Sequence, residues 1–251
     1  MGKRSFFNKA APLTCMVQAD NPERIKELIK KSIPQGAEAF GMQFEQMDGK
    51  YRKAEVYKEL FSYTEDKPVY VTNYRYAKNE GKSDGQLADE LLELADCGAD
   101  LCDIMGDYFD KQPDEITFDE TAVKKQMNLI DRLHKREAKV LMSTHINKFI
   151  SADEALKIAL SHQSRNADIS KIVANAENME QQIENLRIIN LLKKKLNIPF
   201  LFLSGGECKI LRRIGGEIGN CMYLCVYEYD NFSTSQQPLL KDLKAIRDNI
   251  K

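Results

Sequence analysis

Lys139-Val140-Leu141-Met142-Ser143-Thr144-His145 and, beyond one intervening amphipathic run, Asp168-Ile169-Ser170-Lys171-Ile172-Val173-Ala174 decide how this chain folds. Both are short apolar runs of strand length, edged by polar residues. Between them, Ala152 to Leu160 repeats apolar residues at helical spacing. A strand, a helix and a strand in that order place the two strands parallel, because the crossover is long enough to carry the chain back along the sheet.

The same alternation runs outward in both directions. Strand candidates precede this unit at Leu13 to Val17, Ala37 to Phe44, Val69 to Asn73 and Asp100 to Met105, and follow it at Pro199 to Ser204 and Cys221 to Val226. Helices are expected over Pro22 to Ile33, Ser83 to Cys97, Phe118 to Lys135, Glu177 to Leu196, Glu207 to Ile218 and Leu239 to Ile250. Asn21 is the natural N-cap of the first, with Pro22 at its first helical position. Eight strands in 251 residues imply an α/β fold, a single (β/α)8 TIM barrel over residues 1–251. The competing open doubly wound sheet needs a glycine-rich turn after its first strand, and Val17-Gln18-Ala19-Asp20-Asn21 has none. In a barrel the functional groups gather at the C-terminal strand ends. Those ends carry Gln43, Glu45, Arg75, Asp103, His145, Lys171, Ser204 and the loop from Glu228 to Gln237.

Composition narrows the function classes. Lys plus Arg total 37 and Asp plus Glu 38, so no global charge argues for nucleic acid or an anionic membrane surface. No apolar run approaches the ~20 residues that span a bilayer. Met1 to Lys9 is positively charged but has no apolar core after it, so no signal peptide is read there. Six cysteines without a CxxC pair indicate buried thiols in a reducing, cytoplasmic setting and no zinc site. His134 and His162 fall on polar helical stretches and are expected at the surface, and Lys193-Lys194-Lys195 reads as a helix C-terminal charge cluster.

Lys171 carries the chemistry. An ammonium in a buried strand costs several kcal/mol, roughly, unless it loses its proton or finds a partner. A neutral lysine amine attacks carbonyl carbon and forms a Schiff base. His145 ends the preceding strand, and an imidazole with an unperturbed pKa of ~6.5 suits acid and base roles alike. If the pleat turns both inward, the two share one cavity.

In this order the segments resemble the type I 3-dehydroquinate dehydratase family. The strand ending at His145 is similar to the family's histidine strand, and Ala167 to Ile172 to its Schiff-base lysine strand. Gly36-Ala37-Glu38-Ala39-Phe40, Pro68 to Arg75 with Glu80-Gly81, and Gly98 to Ile104 resemble its second, third and fourth strands. Ser204-Gly205-Gly206 with Arg213, Gly216 and Glu217 follows its seventh loop and helix, and Ser233-Thr234-Ser235-Gln236-Gln237 its closing loop. The resemblance covers roughly Pro12 to Ile250. It implies syn-elimination of water from 3-dehydroquinate to 3-dehydroshikimate in the shikimate route of aromatic amino acid biosynthesis, by a homodimer, with no cofactor beyond the lysine Schiff base and no metal. It implies Lys171 and His145 as catalytic residues. Arg213 would bind the carboxylate of an anionic keto acid, Arg75 a ring hydroxyl, and Ser233 and Gln237 would close over the substrate, with Gln43 and Glu45 on the second strand's part of the pocket.

Three places depart from the family pattern. Met105 stands where a glutamate follows the fourth strand's aspartate. Gly41 and Gln43 replace a glutamate and an arginine, and Glu45 replaces an aspartate. Asp103 or Glu45 is then expected to orient His145, and Gly41 to leave room in the pocket. Two further readings stay open: a Schiff-base lyase for a different, less hydroxylated keto acid, and a non-catalytic ligand-binding paralogue.

Overall fold

The computed structural model describes residues 5, 6 and 10–250; most of the charged stretch read for a signal peptide, Met1 to Arg4 and Phe7 to Lys9, lies outside the described residues. Strands and helices alternate throughout. In chain order they are β1 (Leu13–Val17), α1 (Pro22–Ser32), β2 (Ala39–Gln43), α2 (Ala54–Ser62), β3 (Val69–Thr72), α3 (Asp84–Asp96), β4 (Leu101–Met105) and α4 (Glu120–His134). The second half continues with β5 (Lys139–His145), α5 (Ala152–Ser164), β6 (Ile169–Ala176), α6 (Met179–Lys195), β7 (Phe200–Gly206), α7 (Leu211–Ile218), β8 (Tyr223–Cys225) and α8 (Leu240–Ile250). Helix α2 falls where no helix was expected; it buries Tyr57, Leu60 and Phe61 against the barrel.

The eight strands form one parallel sheet in the order β7-β6-β5-β4-β3-β2-β1-β8. Its two ends meet. Cys221 N donates to Phe200 O at 2.9 Å. The buried Asn220 carboxamide accepts from Phe202 N at 2.8 Å and donates to Phe202 O at 2.9 Å, so a side chain occupies the place of a neighbouring strand. The result is a (β/α)8 barrel.

Register follows from the pleat. Met105 pairs with Ser143 and Ser143 with Lys171. Paired residues in a parallel ladder face the same way, and residues two apart on a strand share a face. Asp103, Met105, Ser143, His145, Lys171 and Val173 therefore all turn into the barrel. The lower interior is apolar: Ala39, Leu101, Leu141, Ile169, Leu201 and Met222 fill it. Outward-facing residues such as Val140, Met142, Ile172 and Phe202 pack under the helices.

The helices begin where the sequence provides caps. Asn21 Oδ1 accepts from Arg24 N at 2.9 Å, and Ser83–Gln86 and Ser151–Glu154 form reciprocal capping boxes. His162 does not lie at the surface. It is fully buried between Thr144 Oγ1 and Ser170 Oγ, each 3.0 Å from a ring nitrogen, and burial pushes its pKa down to about 3. Two hydroxyls on the outer face of β5 and β6 supply the ring's partners and let it be buried. His134 is half-buried, with Nε2 2.7 Å from Asp168. Among the described residues no helix is long and apolar enough to cross a membrane.

Candidate active site

Lys171 is 5% exposed and has found partners. Its Nζ donates to Tyr74 Oη at 2.8 Å and Tyr70 Oη at 3.1 Å, and stands 3.2 Å from Asp103 Oδ2. Asp103 Oδ2 also accepts from both phenols, and its Oδ1 from Ser143 Oγ at 2.5 Å. The cost of burying the ammonium is therefore offset by a carboxylate that is itself fully hydrogen-bonded. Removing one partner of such a pair costs about 3–5 kcal/mol. Burial, and then the Asp103 charge, raise both tyrosines well above their usual pKa, so both stay phenols.

His145 has a carboxylate, but not one of the two expected. Glu115 Oε2 lies 2.8 Å from His145 Nδ1 and accepts from His145 N at 3.1 Å. Asp103 serves the lysine instead. Glu45 is fully buried away from the imidazole, where it accepts from Thr72 Oγ1 at 2.8 Å and Tyr76 Oη at 3.0 Å; burial raises its pKa. It thereby anchors the loop after β3, whose Tyr74 presents its ring edge-on to His145 at 5.4 Å. Glu115 sits in the loop between β4 and α4 at φ 50°, a region costly for a side-chain-bearing residue and often found at functional sites. The loop comes so close that a Cβ on Gly106 would lie 2.8 Å from Glu115 O and 2.7 Å from Thr144 Oγ1. Glycine at 106 is what lets this carboxylate reach over Met105. Neither Asp103 nor Glu45, the two carboxylates expected here, takes this place; the sequence signal for Glu115 is limited to the acidic pair Asp114-Glu115 in the loop after β4.

These groups line one cavity of about 510 Å³ at the C-terminal strand ends. Lys171, His145, Gln43, Gln237 and Arg75 all border it. Arg75, however, is engaged: it donates to both Asp84 oxygens at 2.6 and 2.8 Å, and to Asp107 Oδ1 at 2.6 Å and O at 2.8 Å. The cavity arginine on α7 is Arg212, not Arg213. Arg212 is buried, donates from Nε to Ser204 O at 2.8 Å, and has no carboxylate partner among the described residues. Burial lowers its pKa to about 10, which leaves it charged at neutral pH. Arg213 points away and donates to Lys209 O at 3.4 Å. Ser233 is outside the lining as well; it closes a turn with Asp230, and its neighbour Thr234 borders the cavity. Gly41 leaves no room, because a Cβ there would lie 2.3 Å from Met16 Sδ and 3.0 Å from Tyr70 Cδ1. The thioether occupies the space where a longer side chain would stand.

The family model described as type I 3-dehydroquinase matches residues 14–247. The chain belongs to that family. A curated relative, the 3-dehydroquinate dehydratase of Lactiplantibacillus plantarum, is 27% identical over 157 residues, 61% of this chain. The chain spans a little over half the length of that relative, 58%. Among solved structures, the barrel is similar to the type I 3-dehydroquinate dehydratase of Clostridium difficile, described with covalently modified comenic acid (TM-score 0.80, 19% identity, 97% of this chain and 94% of that one). It is also similar to the 3-dehydroquinate dehydratases of Geobacillus kaustophilus (TM-score 0.81, 13% identity, 97% and 92%) and Enterococcus faecalis (TM-score 0.78, 17% identity, 98% and 96%). At these identities the structural likeness shows the barrel alone.

Proposed function

We propose that the chain eliminates water from 3-dehydroquinate through a Schiff base on Lys171. One observation carries this: the Lys171 amine and the His145 imidazole face a single substrate-sized cavity, joined through Tyr74. Lys171 Nζ attacks the ketone carbon; two of the three hydrogens of the starting ammonium pass to the carbonyl oxygen, which leaves as water, and the nitrogen keeps the third as a protonated iminium. The positive nitrogen draws electrons from the neighbouring C–H bond. His145 takes that proton, and the electron pair forms an enamine. The enamine pair then expels the β-hydroxyl, which leaves as water with the proton from His145. A second water hydrolyses the iminium, releases the enone and restores the amine. The lysine is the electron sink, so this reaction needs no added cofactor.

Arg212 suits the substrate carboxylate, being a buried guanidinium beside the cavity with no carboxylate against it among the described residues. The buried Gln237 Oε1 has no hydrogen-bond partner among the described residues and suits a substrate hydroxyl. Glu115 holds the imidazole's orientation, a positioning role. All six cysteines are free thiols, which supports a reducing, cytoplasmic setting. Incubation with 3-dehydroquinate and borohydride, followed by intact mass and peptide mapping, tests the reading: a substrate-sized adduct on Lys171 is expected, and its absence rejects this substrate.

A second reading has its own support. Met16 fills the space beside Gly41, and Arg75 is held by two carboxylates, so two places that could read ring hydroxyls are closed. A less hydroxylated cyclic keto acid fits such a cavity. Stronger trapping by such a compound than by 3-dehydroquinate would decide for it.

A further inference from the structure

A buried ammonium paired with a carboxylate is no nucleophile until its proton has somewhere to go. The path is visible. Tyr74 Oη accepts from Lys171 Nζ at 2.8 Å and donates to Asp103 Oδ2. We propose that Tyr74 is a further catalytic residue, whose phenol relays a proton between Lys171 and Asp103. As one N–H bond of the ammonium breaks, its proton bonds to Tyr74 Oη, and the phenol's own proton passes to Asp103 Oδ2. The ammonium becomes an amine, the carboxylate a carboxylic acid, and the phenol ends as it began. The reverse transfer restores the ion pair after product release.

Three observations select this path. The direct Lys171–Asp103 separation, 3.2 Å, is longer than the leg to Tyr74. Tyr70 makes the same two bonds, but at 3.1 Å to the lysine and from below the cavity, whereas Tyr74 borders the cavity where the carbonyl arrives. Tyr74 also touches His145, so one side chain abuts both reacting groups. Its elevated pKa keeps it a phenol, the form that can donate and accept at once.

The inference rests on Lys171 being the nucleophile proposed above, so its test uses a carbonyl probe that is not the substrate. Glyoxylate with cyanoborohydride alkylates accessible reactive amines, and peptide mass spectrometry reads Lys171 separately from surface lysines. Tyr74→Phe keeps the ring against His145 and is expected to slow Lys171 labelling at neutral pH by about ten-fold or more, toward the range typical of general acid–base groups. Tyr70→Phe is expected to slow it by no more than about three-fold, a small share of that range. The Tyr74→Phe deficit should narrow as pH rises and solvent base takes the proton directly. Equal effects of the two variants, or a deficit constant with pH, would overturn the relay. The unmodified protein gives an independent reading: two protons in flight produce a curved proton inventory in mixed H2O and D2O, and a straight line overturns the proposal even if Tyr74→Phe fails to fold. Labelling by glyoxylate without a 3-dehydroquinate adduct rejects the substrate and leaves the relay standing; no labelling of Lys171 at all rejects both.

Discussion

The two halves of the barrel mouth are built from opposite materials. The wall formed by β3, β4, β5 and β6 carries Tyr74, Asp103, His145 and Lys171, linked to one another and to Glu115 by hydrogen bonds and ring contact. The facing wall, from β1, β7 and β8, presents Met16, Leu203 and Leu224. Proton-handling groups need fixed partners, and fixed partners need a continuous run of strands. The apolar wall only has to exclude water and hold a ring. A substrate of the proposed kind would bear its reacting ketone on one edge and present hydrocarbon to the facing strands, with Arg212 and Gln237 from the segments beyond β7 and β8 meeting its polar groups.

Substitutions on the reactive wall should therefore cost turnover, and those on the facing wall stability. The largest effect is expected for Lys171→Ala: loss of the borohydride-trapped adduct and a turnover loss of at least about 10⁴-fold, as for other removed nucleophiles. Retained turnover would dissolve the distinction at once. Next, Arg212→Ala should raise KM about a hundred-fold by removing a bidentate carboxylate contact, while Arg213→Ala stays within about three-fold. Steady-state kinetics of the pair reads which arginine faces the cavity. Glu115→Gln should lower kcat by about ten- to a hundred-fold with little change in KM, because it disturbs the imidazole and not the binding groups.

Two stability measurements sharpen the comparison further. His162 sits behind the reactive wall with a pKa near 3 against an ordinary value of 6.5. Below pH 6.5 the unfolded chain takes up a proton that the folded one refuses, so stability should fall progressively from pH 6.5 toward 3, by up to a few kcal/mol, roughly. Urea titrations across that range, with His162→Gln as the flatter comparison, measure it. Between the two walls, Gly41→Ala on β2 should cost about 1–2 kcal/mol through overpacking against Met16 and Tyr70, and a neutral result in urea would mean that the Met16 thioether gives way.

The alternation of short apolar runs with amphipathic ones was sufficient for the barrel, because both periodicities are local. Helix α2 was not legible: it follows two short 3-10 turns, Phe44–Gln46 and Gly49–Tyr51, that break the pattern leading into it. Lys171 and His145 were legible as residues of neighbouring strands, but that both turn inward was not, because an apolar run does not say which face of its pleat meets the barrel interior. Arg212 was not distinguishable from Arg213, since adjacent helical residues differ by roughly 100° and the phase of α7 depends on how it packs, not on a cap. Glu115 was hidden for a different reason. Its position depends on a loop conformation at positive φ and on a glycine nine residues earlier in the chain permitting close approach. His162 misled because its hydrogen-bond partners, Thr144 and Ser170, come from strands on either side of its own helix.

One side chain reinforces the seam that makes this sheet a tube, beside the Cys221–Phe200 backbone bond. Where β7 and β8 meet, the Asn220 carboxamide grips the Phe202 peptide on both its donor and its acceptor. The cylinder thus has a stitched hem, and mechanical opening or deuterium uptake should start along that line, beside the hydrocarbon side of the mouth and one strand away from the strand that carries the lysine.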